Sequence, residues 1–299
     1  MRVLISGSNS QLGKEFKNII TNSNHEFIFF NSQSLNLLDY NEIKNVIKEH
    51  NPDFIINFAA FTNVDQAEDD KELAFQINSD GPKFMSQAAN DINSYFIHVS
   101  TDYVFGGKEE GPFLASSKTN PINIYGKSKL SGENNALTKN TKSIVIRTAG
   151  LFSKYNNNFV KNVTSRLLRG EKLKIVRDQN VSVTYAGDLA EAIFSILNKE
   201  SVNSIMKKQK NRIIHYTNSG YTSWFEVGEF IKNYLINIGI EVEEITPINS
   251  KEWRSKATRS KDTRLIIDYG LLDSLNIKFS DWEKRVPIII DNELNRNHE

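Results

Sequence analysis

A tyrosine and a lysine four residues apart, Tyr125 and Lys129, are the side chains of this chain whose types and spacing most directly indicate chemistry. A helix brings residues four apart onto one face, so the two groups act on the same small volume. A phenol has an unperturbed pKa of about 10, and a neighbouring ammonium lowers that pKa by stabilising the phenolate. The pair therefore favours proton transfer to or from a substrate oxygen. Taken alone, the spacing is also typical of a half-buried tyrosine and a solvated lysine on an ordinary helix.

A second polar group, Ser100-Thr101-Asp102, follows the apolar run 95–99. Residues 95–100 predict a fourth strand, in which His98 is expected to be a packed core residue. Thr101 then stands at the carboxyl end of that strand, where an open parallel sheet exposes its binding crevice. A loop rich in glycine and proline, 106–121, leads from there to the Tyr125 helix.

The first residues of the chain predict a nucleotide-binding turn. The apolar run Val3-Leu4-Ile5 gives way to apolar residues at helical spacing from Leu12 onward, which indicates a strand, a tight turn and a helix. Gly7 permits the bend, Gly13 lets helix and strand pack closely, and Ser10 stands where a third glycine is often found. Backbone N–H groups at the helix start can receive a diphosphate, although a glycine pair alone also fits a simple turn.

Residues at the ends of the second and third predicted strands indicate how a coenzyme could bind. An enzyme selective for NAD usually places a carboxylate at the end of the second strand, to bind the ribose 2′-hydroxyl, and this chain has Asn31 there. NADPH is therefore admissible, as is NADH, since no Arg or Lys is adjacent to Asn31. Ala59 and Ala60 follow the third strand, 52–57, and leave room for a cofactor against the backbone, although ordinary close packing uses the same residue types.

The remaining elements complete the expected architecture. Strand–helix alternation over residues 1–150 predicts a parallel sheet covered on both faces, and the pattern is less regular afterwards. The basic segment 254–264 is a candidate diphosphate-binding loop. Three helix starts carry the capping-box pattern, in which an acid follows the cap residue by three positions. The pairs are Asp39 with Glu42, Ser223 with Glu226, and Ser280 with Glu283.

Composition excludes several classes of function. Lys and Arg number 37 against 36 Asp and Glu, so no strong field gathers nucleic acid or an acidic membrane surface. The chain has no Cys, which rules out disulfides and cysteine nucleophiles and suits a reducing compartment. Its five His show no ligand spacing, so we expect no metal site. No apolar run is long enough to predict a signal peptide or a membrane span, and a cytoplasmic protein is expected.

With these residues assembled, the chain resembles the extended short-chain dehydrogenase/reductase family and, within it, the dTDP-4-dehydrorhamnose reductases. The string Ser100-Thr101-Asp102-Tyr103-Val104-Phe105 is the most specific match. The other matching segments are 7–13, 59–65 and 125–129. Shorter matches follow later in the chain, at 147–148, 157–161, 178–179 and 223–225.

The resemblance implies a Rossmann-type doubly wound parallel sheet with a smaller α/β substrate-binding domain. The implied NAD(P)-binding domain is 1–150 with returning segments at about 178–200 and 212–220, and the implied nucleotide-sugar domain is 151–177 with 221–299. The implied reaction is reduction of a 4-keto sugar by NADPH or NADH. A nucleotide sugar is the expected partner, no nucleic acid or membrane partner is expected, and a homodimer is left open.

The same resemblance implies roles for single residues. Tyr125 would protonate the C4 oxygen, Lys129 would hold the nicotinamide ribose and lower the pKa of Tyr125, and Thr101 would hydrogen-bond the substrate carbonyl. Together with Tyr125 and Lys129, the implied cofactor-binding residues are Gly7, Ser10, Gln11, Leu12, Gly13, Asn31, Leu38, Asp39, Ala59, Ala60, Phe61, Thr62 and Thr148. The implied substrate-binding residues are Val64, Thr101, Asp102, Tyr103, Asn158, Gln179 and Arg259.

Three departures from the family pattern fall on the substrate side. Ala149-Gly150 replaces a small residue followed by a tryptophan that packs on the sugar, and the segments 179–184 and 259–263 differ from the usual loops. Reductase chemistry is therefore better supported than rhamnose as the product. The alternatives are a reductase or epimerase of another nucleotide sugar, such as a UDP-linked acetamido sugar, and a non-catalytic NADP-binding regulatory subunit.

Overall fold

The protein is described by a computed structural model that covers residues 1–21, 23–107 and 109–296. Its strands are β1 (Arg2–Ser6), β2 (Glu26–Phe30), β3 (Phe54–Asn57), β4 (Tyr95–Thr101), β5 (Ser143–Thr148), β6 (Leu151–Phe152), β7 (Leu173–Val176), β8 (Asn180–Val181), β9 (Thr184–Tyr185), β10 (Ile213–His215), β11 (Thr222–Ser223) and β12 (Ile245–Ile248). Its α-helices are α1 (Gln11–Ile19), α2 (Tyr40–His50), α3 (Lys71–Phe75), α4 (Gly81–Asp91), α5 (Ile124–Lys139), α6 (Phe159–Leu168), α7 (Ala186–Ser195), α8 (Lys199–Lys208), α9 (Trp224–Asn237), α10 (Tyr269–Asp273) and α11 (Val286–Arg296).

A six-stranded sheet forms the centre of the molecule, in the order β2-β1-β3-β4-β5-β10. Every neighbouring pair in it is parallel. The strand order reverses between β1 and β3, and at such a point the chains leaving the carboxyl ends of the strands diverge and open a crevice. The predicted Rossmann-type fold is confirmed.

Helices cover both faces of this sheet, which explains why β3 is buried along its whole length. On one face α1 and α7 pack through Phe16 and Ile193, and on the other α2 and α4 pack through Ile43 and Met85. This is the doubly wound arrangement that the strand–helix alternation predicted. The sheet therefore holds the ends of β1, β3 and β4 rigidly side by side.

A second apolar core lies among later elements of the chain. It is formed by α6, α9 and α11 with the parallel pair β7 and β12, through residues such as Val163, Ile231 and Ile289. Strand β10 nevertheless joins the main sheet, and α7 packs on α1. The division into two domains stays a prediction, and residues 297–299 lie outside the described part. Within the described residues, no helix is long and apolar enough to cross a membrane.

The three predicted capping boxes have different outcomes. Ser223 and Glu226 form the complete box, with each side chain accepting the other's backbone N–H at 3.2 and 2.7 Å. Asp39 caps α2, but Glu42 accepts instead from the backbone of Asn36, so the box is only half formed. The prediction for Ser280 and Glu283 is wrong. A short 3₁₀ turn, Trp282–Lys284, intervenes before α11 begins, and Ser280 donates to the carbonyl of Asp281 instead.

Candidate functional site

A cavity of about 970 Å³ opens at the carboxyl ends of the central strands. It receives residues from β1, β4 and β5 and from the segments that follow β1, β2, β3, β4 and β5. The predicted site residues that line it are Gly7, Ser10, Gln11, Leu12, Asn31, Leu38, Ala59, Ala60, Thr62, Val64, Thr101, Asp102, Tyr103, Tyr125, Lys129, Thr148, Asn158, Gln179 and Arg259. Residues from widely separated parts of the chain therefore meet in one space.

Three predicted cofactor-binding residues do not line the cavity. A Cβ at Gly13 would lie 2.5 Å from the carbonyl oxygen of Gly7, so Gly13 lets α1 approach the turn rather than face a ligand. Asp39 is occupied as the cap of α2. Phe61 packs against the cluster around Tyr125, and its backbone N–H donates to Asn78 at 2.8 Å. None of the three residues therefore lines the cavity in this structure.

The turn after β1 brings two strand ends unusually close. Gly7 has a φ of +74°, and a Cβ there would lie 2.4 Å from the backbone nitrogen of Ala59. Ser10 caps α1 and accepts the N–H of Gly13 at 3.0 Å. The N–H groups of Gln11 and Leu12, in the first turn of α1, have no acceptor within the helix. The turn is thus a cradle of backbone N–H groups with no room for a side chain at Gly7.

The segment after β2 holds its shape through one side chain. The carboxamide oxygen of Asn31 accepts the backbone N–H groups of Gln33 at 2.8 Å and Ser34 at 3.2 Å. Ser32 and Leu38 line the cavity with it, and between residues 31 and 38 no charged side chain does so. This part of the cavity neither repels nor specifically pairs with a phosphate on a ribose 2′-oxygen.

Helix α5 presents Tyr125 to the end of β4 through a close backbone approach. A Cβ at Gly126 would lie 2.2 Å from the carbonyl oxygen of Tyr103, so only glycine lets the helix come this near. The rings of Tyr103 and Tyr125 meet edge to face at 5.4 Å between centroids. In this position the hydroxyl of Tyr125 hydrogen-bonds Thr101.

Thr101 links the hydroxyl of Tyr125 to the buried carboxyl group of Asp102. Its hydroxyl donates to Oδ1 of Asp102 at 2.9 Å and accepts the backbone N–H of Tyr103 at 3.2 Å. Asp102 also accepts from Thr263, a residue to which the sequence gave no role. Burial raises the pKa of Asp102 to about 6 against the lowering effect of these hydrogen bonds. The hydroxyls of Tyr125 and Thr101 and the carboxyl of Asp102 thus form one continuous chain.

Lys129 lies on the same face of α5, as its spacing from Tyr125 predicted, and it is buried. Its ammonium donates to the carbonyl of Val99 at 2.7 Å and lies 3.4 Å from Nε2 of His98. Burial lowers the pKa of Lys129 to about 8, opposed by the charge of Glu133. His98 is a fully buried core residue, as expected.

The expected lowering of the Tyr125 pKa by Lys129 is absent from this structure. Burial raises the pKa of Tyr125, and the hydrogen bond between Tyr125 and Thr101 opposes that rise only in part, while the charge of Asp102 adds to it. The physical reason is that the ammonium of Lys129 is directed at the backbone of β4 and not at the phenol. Tyr125 is therefore firmly protonated at neutral pH.

Arg259, from the predicted basic loop, lies at the cavity but is already paired. Its guanidinium contacts both carboxylate oxygens of Asp65, at 3.1 and 2.9 Å, and also donates to Ser255 and Tyr103. Burial acts to raise the pKa of Asp65, but hydrogen bonds from Ala257 and Arg259 outweigh it and the pKa is lowered. Both partners are charged at neutral pH.

Part of the cavity wall is aromatic. Phe159 and Trp224 line it with their ring centroids 4.6 Å apart. Neither was assigned a role from the sequence, although both lie in segments that carried the family resemblance. Gly150, where the family has tryptophan, has a φ of +50°, and a Cβ there would lie 2.8 Å from the carbonyl oxygen of Ser182. An aromatic surface is thus present, but from other elements.

Among the described residues, no group of three or more His, Asp and Glu side chains has the arrangement of a metal site.

The sequence matches the family described as RmlD substrate binding domain over residues 1–295. The dTDP-4-dehydrorhamnose reductase of Aggregatibacter actinomycetemcomitans is 32% identical over 286 residues, which cover 95% of this chain and 96% of that protein.

Two solved structures are closely similar in fold, each with a TM-score of 0.85 and 30% identity. One is a dTDP-4-dehydrorhamnose reductase from Clostridium acetobutylicum, with 99% of this chain and 100% of that chain covered. The other is a dTDP-4-dehydrorhamnose reductase from Bacillus anthracis in complex with NADP, with coverage of 96% and 97%.

Proposed function

We propose that this chain, which belongs to the family described as RmlD substrate binding domain, reduces the C4 keto group of a nucleotide-activated 4-keto-6-deoxy sugar. By that relationship it is an NAD(P)H-dependent oxidoreductase that acts on a sugar nucleotide. We further propose dTDP-4-dehydrorhamnose as the substrate and dTDP-L-rhamnose synthesis as the role. The observation that carries the proposal is the hydrogen bond between Tyr125 and Thr101 at the cavity surface.

The residues around the turn after β1 fit a dinucleotide coenzyme. The cradle at Gly7, which a Cβ would fill, and the first N–H groups of α1 suit a diphosphate. Ala59, Ala60 and Thr62 offer small side chains beside it. The coenzyme, when bound, supplies the hydride. We propose NADPH as the main coenzyme, because a related reductase structure contains NADP. NADH is proposed as a second coenzyme, because the residues near Asn31 carry no charge that excludes it.

Tyr125 is the proposed proton donor to the C4 oxygen. Burial keeps its phenol protonated at neutral pH, and its helix holds the hydroxyl beside Thr101. A carbonyl that is being reduced becomes strongly basic at oxygen, so even a phenol with a raised pKa gives up its proton at that moment. Thr101 donates a second hydrogen bond to the same oxygen and so stabilises the developing negative charge.

Lys129 and Arg259 have proposed binding roles that require each to change partners. The ammonium of Lys129 would leave the carbonyl of Val99 for the ribose hydroxyls of the coenzyme. The guanidinium of Arg259 would share its contacts between Asp65 and the substrate diphosphate. Asp102 and Tyr103, with Val64, Asn158 and Gln179, would surround the sugar.

The direct test is an oxidation assay with NADPH and NADH against dTDP- and UDP-linked 4-keto sugars, with product stereochemistry read by NMR. We expect oxidation with dTDP-4-dehydrorhamnose and an L-rhamno product. Absence of oxidation with every sugar contradicts the reductase proposal. Tightly bound NAD without net coenzyme consumption would instead identify an epimerase, and a stable complex with an unrelated enzyme, without activity, would identify a regulatory subunit.

We also propose that the enzyme acts in the cytoplasm and as a homodimer. A cysteine-free chain suits a reducing compartment. Cell fractionation and sedimentation velocity test the two statements separately, and a membrane-associated or strictly monomeric protein contradicts them.

A further inference from the structure

We propose that Asp102 works in its protonated form and thereby sets the direction of the hydrogen bonds at Thr101, so that the Thr101 hydroxyl is free to donate to the substrate. The inference rests on the proposed reduction of a C4 keto group. Asp102 is a positioning residue in this scheme, because it acts on the reacting oxygen only through Thr101.

The hydrogen bonds at Thr101 leave its hydroxyl no spare proton in this structure. A threonine hydroxyl has one proton and two lone pairs. The proton of Thr101 is directed at Oδ1 of Asp102, at 2.9 Å. One lone pair accepts the backbone N–H of Tyr103 at 3.2 Å, and the other is left for the phenol proton of Tyr125. Thr101 is therefore an acceptor towards the cavity and a donor only towards Asp102.

An ionised Asp102 would keep this arrangement when substrate binds. Hydrogen bonds to a charged acceptor are roughly twice as strong as those between neutral groups, so the Thr101 proton would stay with a carboxylate rather than turn to a ketone. A protonated Asp102 reverses the bond, because its O–H donates to the Thr101 oxygen. The Thr101 proton then turns to the C4 oxygen, beside that of Tyr125, and two donors converge on the charge that develops there.

Burial brings the protonated form of Asp102 close to the physiological pH range. The residue is 3% exposed, and its burial raises the pKa of the carboxyl to about 6, against the hydrogen bonds from Thr263, Thr101 and the backbone. Among the described residues, no lysine or arginine forms an ion pair with it. Hydrogen bonds therefore offset the cost of ionising this buried carboxyl only in part, and no cation in the described part of the chain adds to them.

The titratable groups that face Asp102 are two phenols and one ion pair. Tyr103 lies on its own turn and Tyr125 on α5, and both are neutral at physiological pH because their pKa values are raised. The guanidinium of Arg259 contacts Tyr103 but is neutralised by Asp65. The ammonium of Lys129 donates to the carbonyl of Val99 and not to Asp102. Asp102 lines the cavity, so coenzyme and substrate that fill it would remove water from around the carboxyl and raise its pKa further.

The proposed role of Asp102 predicts that the rate of reduction falls as pH rises. A raised carboxyl pKa means that the protonated form is present below that pKa and is lost as pH rises through it. For wild-type enzyme we expect kcat for reduction to fall by about tenfold per pH unit above the pKa of Asp102 in the ternary complex. The loss of charge on Lys129, with its pKa of about 8, is a separate event.

The test compares the pH profile of kcat in Asp102→Asn, Asp102→Ala and wild type. The asparagine keeps its carbonyl for Thr263 and turns its amide towards Thr101, so it donates at every pH. We expect Asp102→Asn to keep activity within about tenfold of wild type at low pH and to lose the fall assigned to Asp102. Asp102→Ala lacks the donor and is expected to be slower at every pH. Asp69→Asn, an exposed carboxyl paired with Lys256, is the matched control and keeps the wild-type profile.

A second measurement needs no substrate. The infrared spectrum of Asp102→Asn is subtracted from that of wild type. We expect the difference to show the C=O stretch of a protonated carboxylic acid at low pH, and this band should disappear as pH rises through the pKa of Asp102. An unchanged pH profile in Asp102→Asn, or a kcat as low as that of Asp102→Ala with coenzyme binding intact, overturns the proposal. So does the absence of the C=O signal. If wild type reduces no 4-keto sugar while the signal is present, the reductase proposal fails instead.

Discussion

Replacing Tyr125 by phenylalanine removes one hydroxyl and leaves the buried ring in place. The ring keeps its edge contact with Tyr103, 5.4 Å between centroids, and only the hydrogen bond to Thr101 is lost. One such bond contributes about 1 kcal/mol to the free energy of unfolding, so the variant is expected to fold. The loss of a positioned proton donor costs about 10²–10⁴ in rate, or about 3–5 kcal/mol of activation free energy.

The assay follows NADPH absorbance to obtain kcat, and coenzyme fluorescence to obtain Kd. We expect kcat of Tyr125→Phe to fall by that factor while Kd for NADPH changes by less than about threefold. Tyr95→Phe is the matched control, since Tyr95 is a buried tyrosine on β4 whose hydroxyl lies 3.5 Å from Asn203, away from the cavity. A kcat of Tyr125→Phe within about twofold of wild type refutes the assignment of Tyr125 as the donor. A loss of coenzyme binding in parallel with kcat would point to a folding effect.

Three further outcomes are expected. Gly7→Ala places a Cβ 2.4 Å from the backbone nitrogen of Ala59, and titration should show NADPH binding weakened at least tenfold; unchanged binding contradicts the cradle. Trp224→Ala removes an aromatic wall of the cavity, and KM for the nucleotide sugar should rise about tenfold with kcat nearly constant; a changed kcat with constant KM contradicts this role. Burial lowers the pKa of Lys129 to about 8, so the positive charge of its ammonium is lost as pH rises through 8. KM for NADPH should therefore rise between about pH 7 and 9 in wild type but not in the Lys129→Arg variant. A wild-type KM that does not change with pH contradicts the proposed role of Lys129.

Local patterns were sufficient to predict much of the fold. The run before Gly7 and the helical spacing after it depend on residues close in sequence, and so does the facing of Tyr125 and Lys129 on α5. The parallel sheet follows from the alternation of such units, which the structure confirms. The third strand, which was predicted to be buried, is buried at every position.

Contacts between distant segments were not predictable in the same way. The Thr263 hydrogen bond to Asp102 and the aromatic contact of Phe159 with Trp224 join parts of the chain that no local pattern relates. The pKa of Tyr125 was predicted with the wrong sign, because the direction of the Lys129 ammonium depends on a carbonyl of the neighbouring strand. A short motif fixes which residues are near one another but not which of several partners each one takes.

The conformation at Gly150 restricts the routes by which this enzyme could change its sugar. Its positive φ and the nearby Ser182 carbonyl mean that a single replacement there strains the backbone as well as the neighbouring loop. The tryptophan of related reductases is therefore not one substitution away, because the 179–184 loop would have to move first. Laboratory evolution of specificity should find its early productive changes around Trp224 and Phe159, and changes at Gly150 only after the loop has been altered.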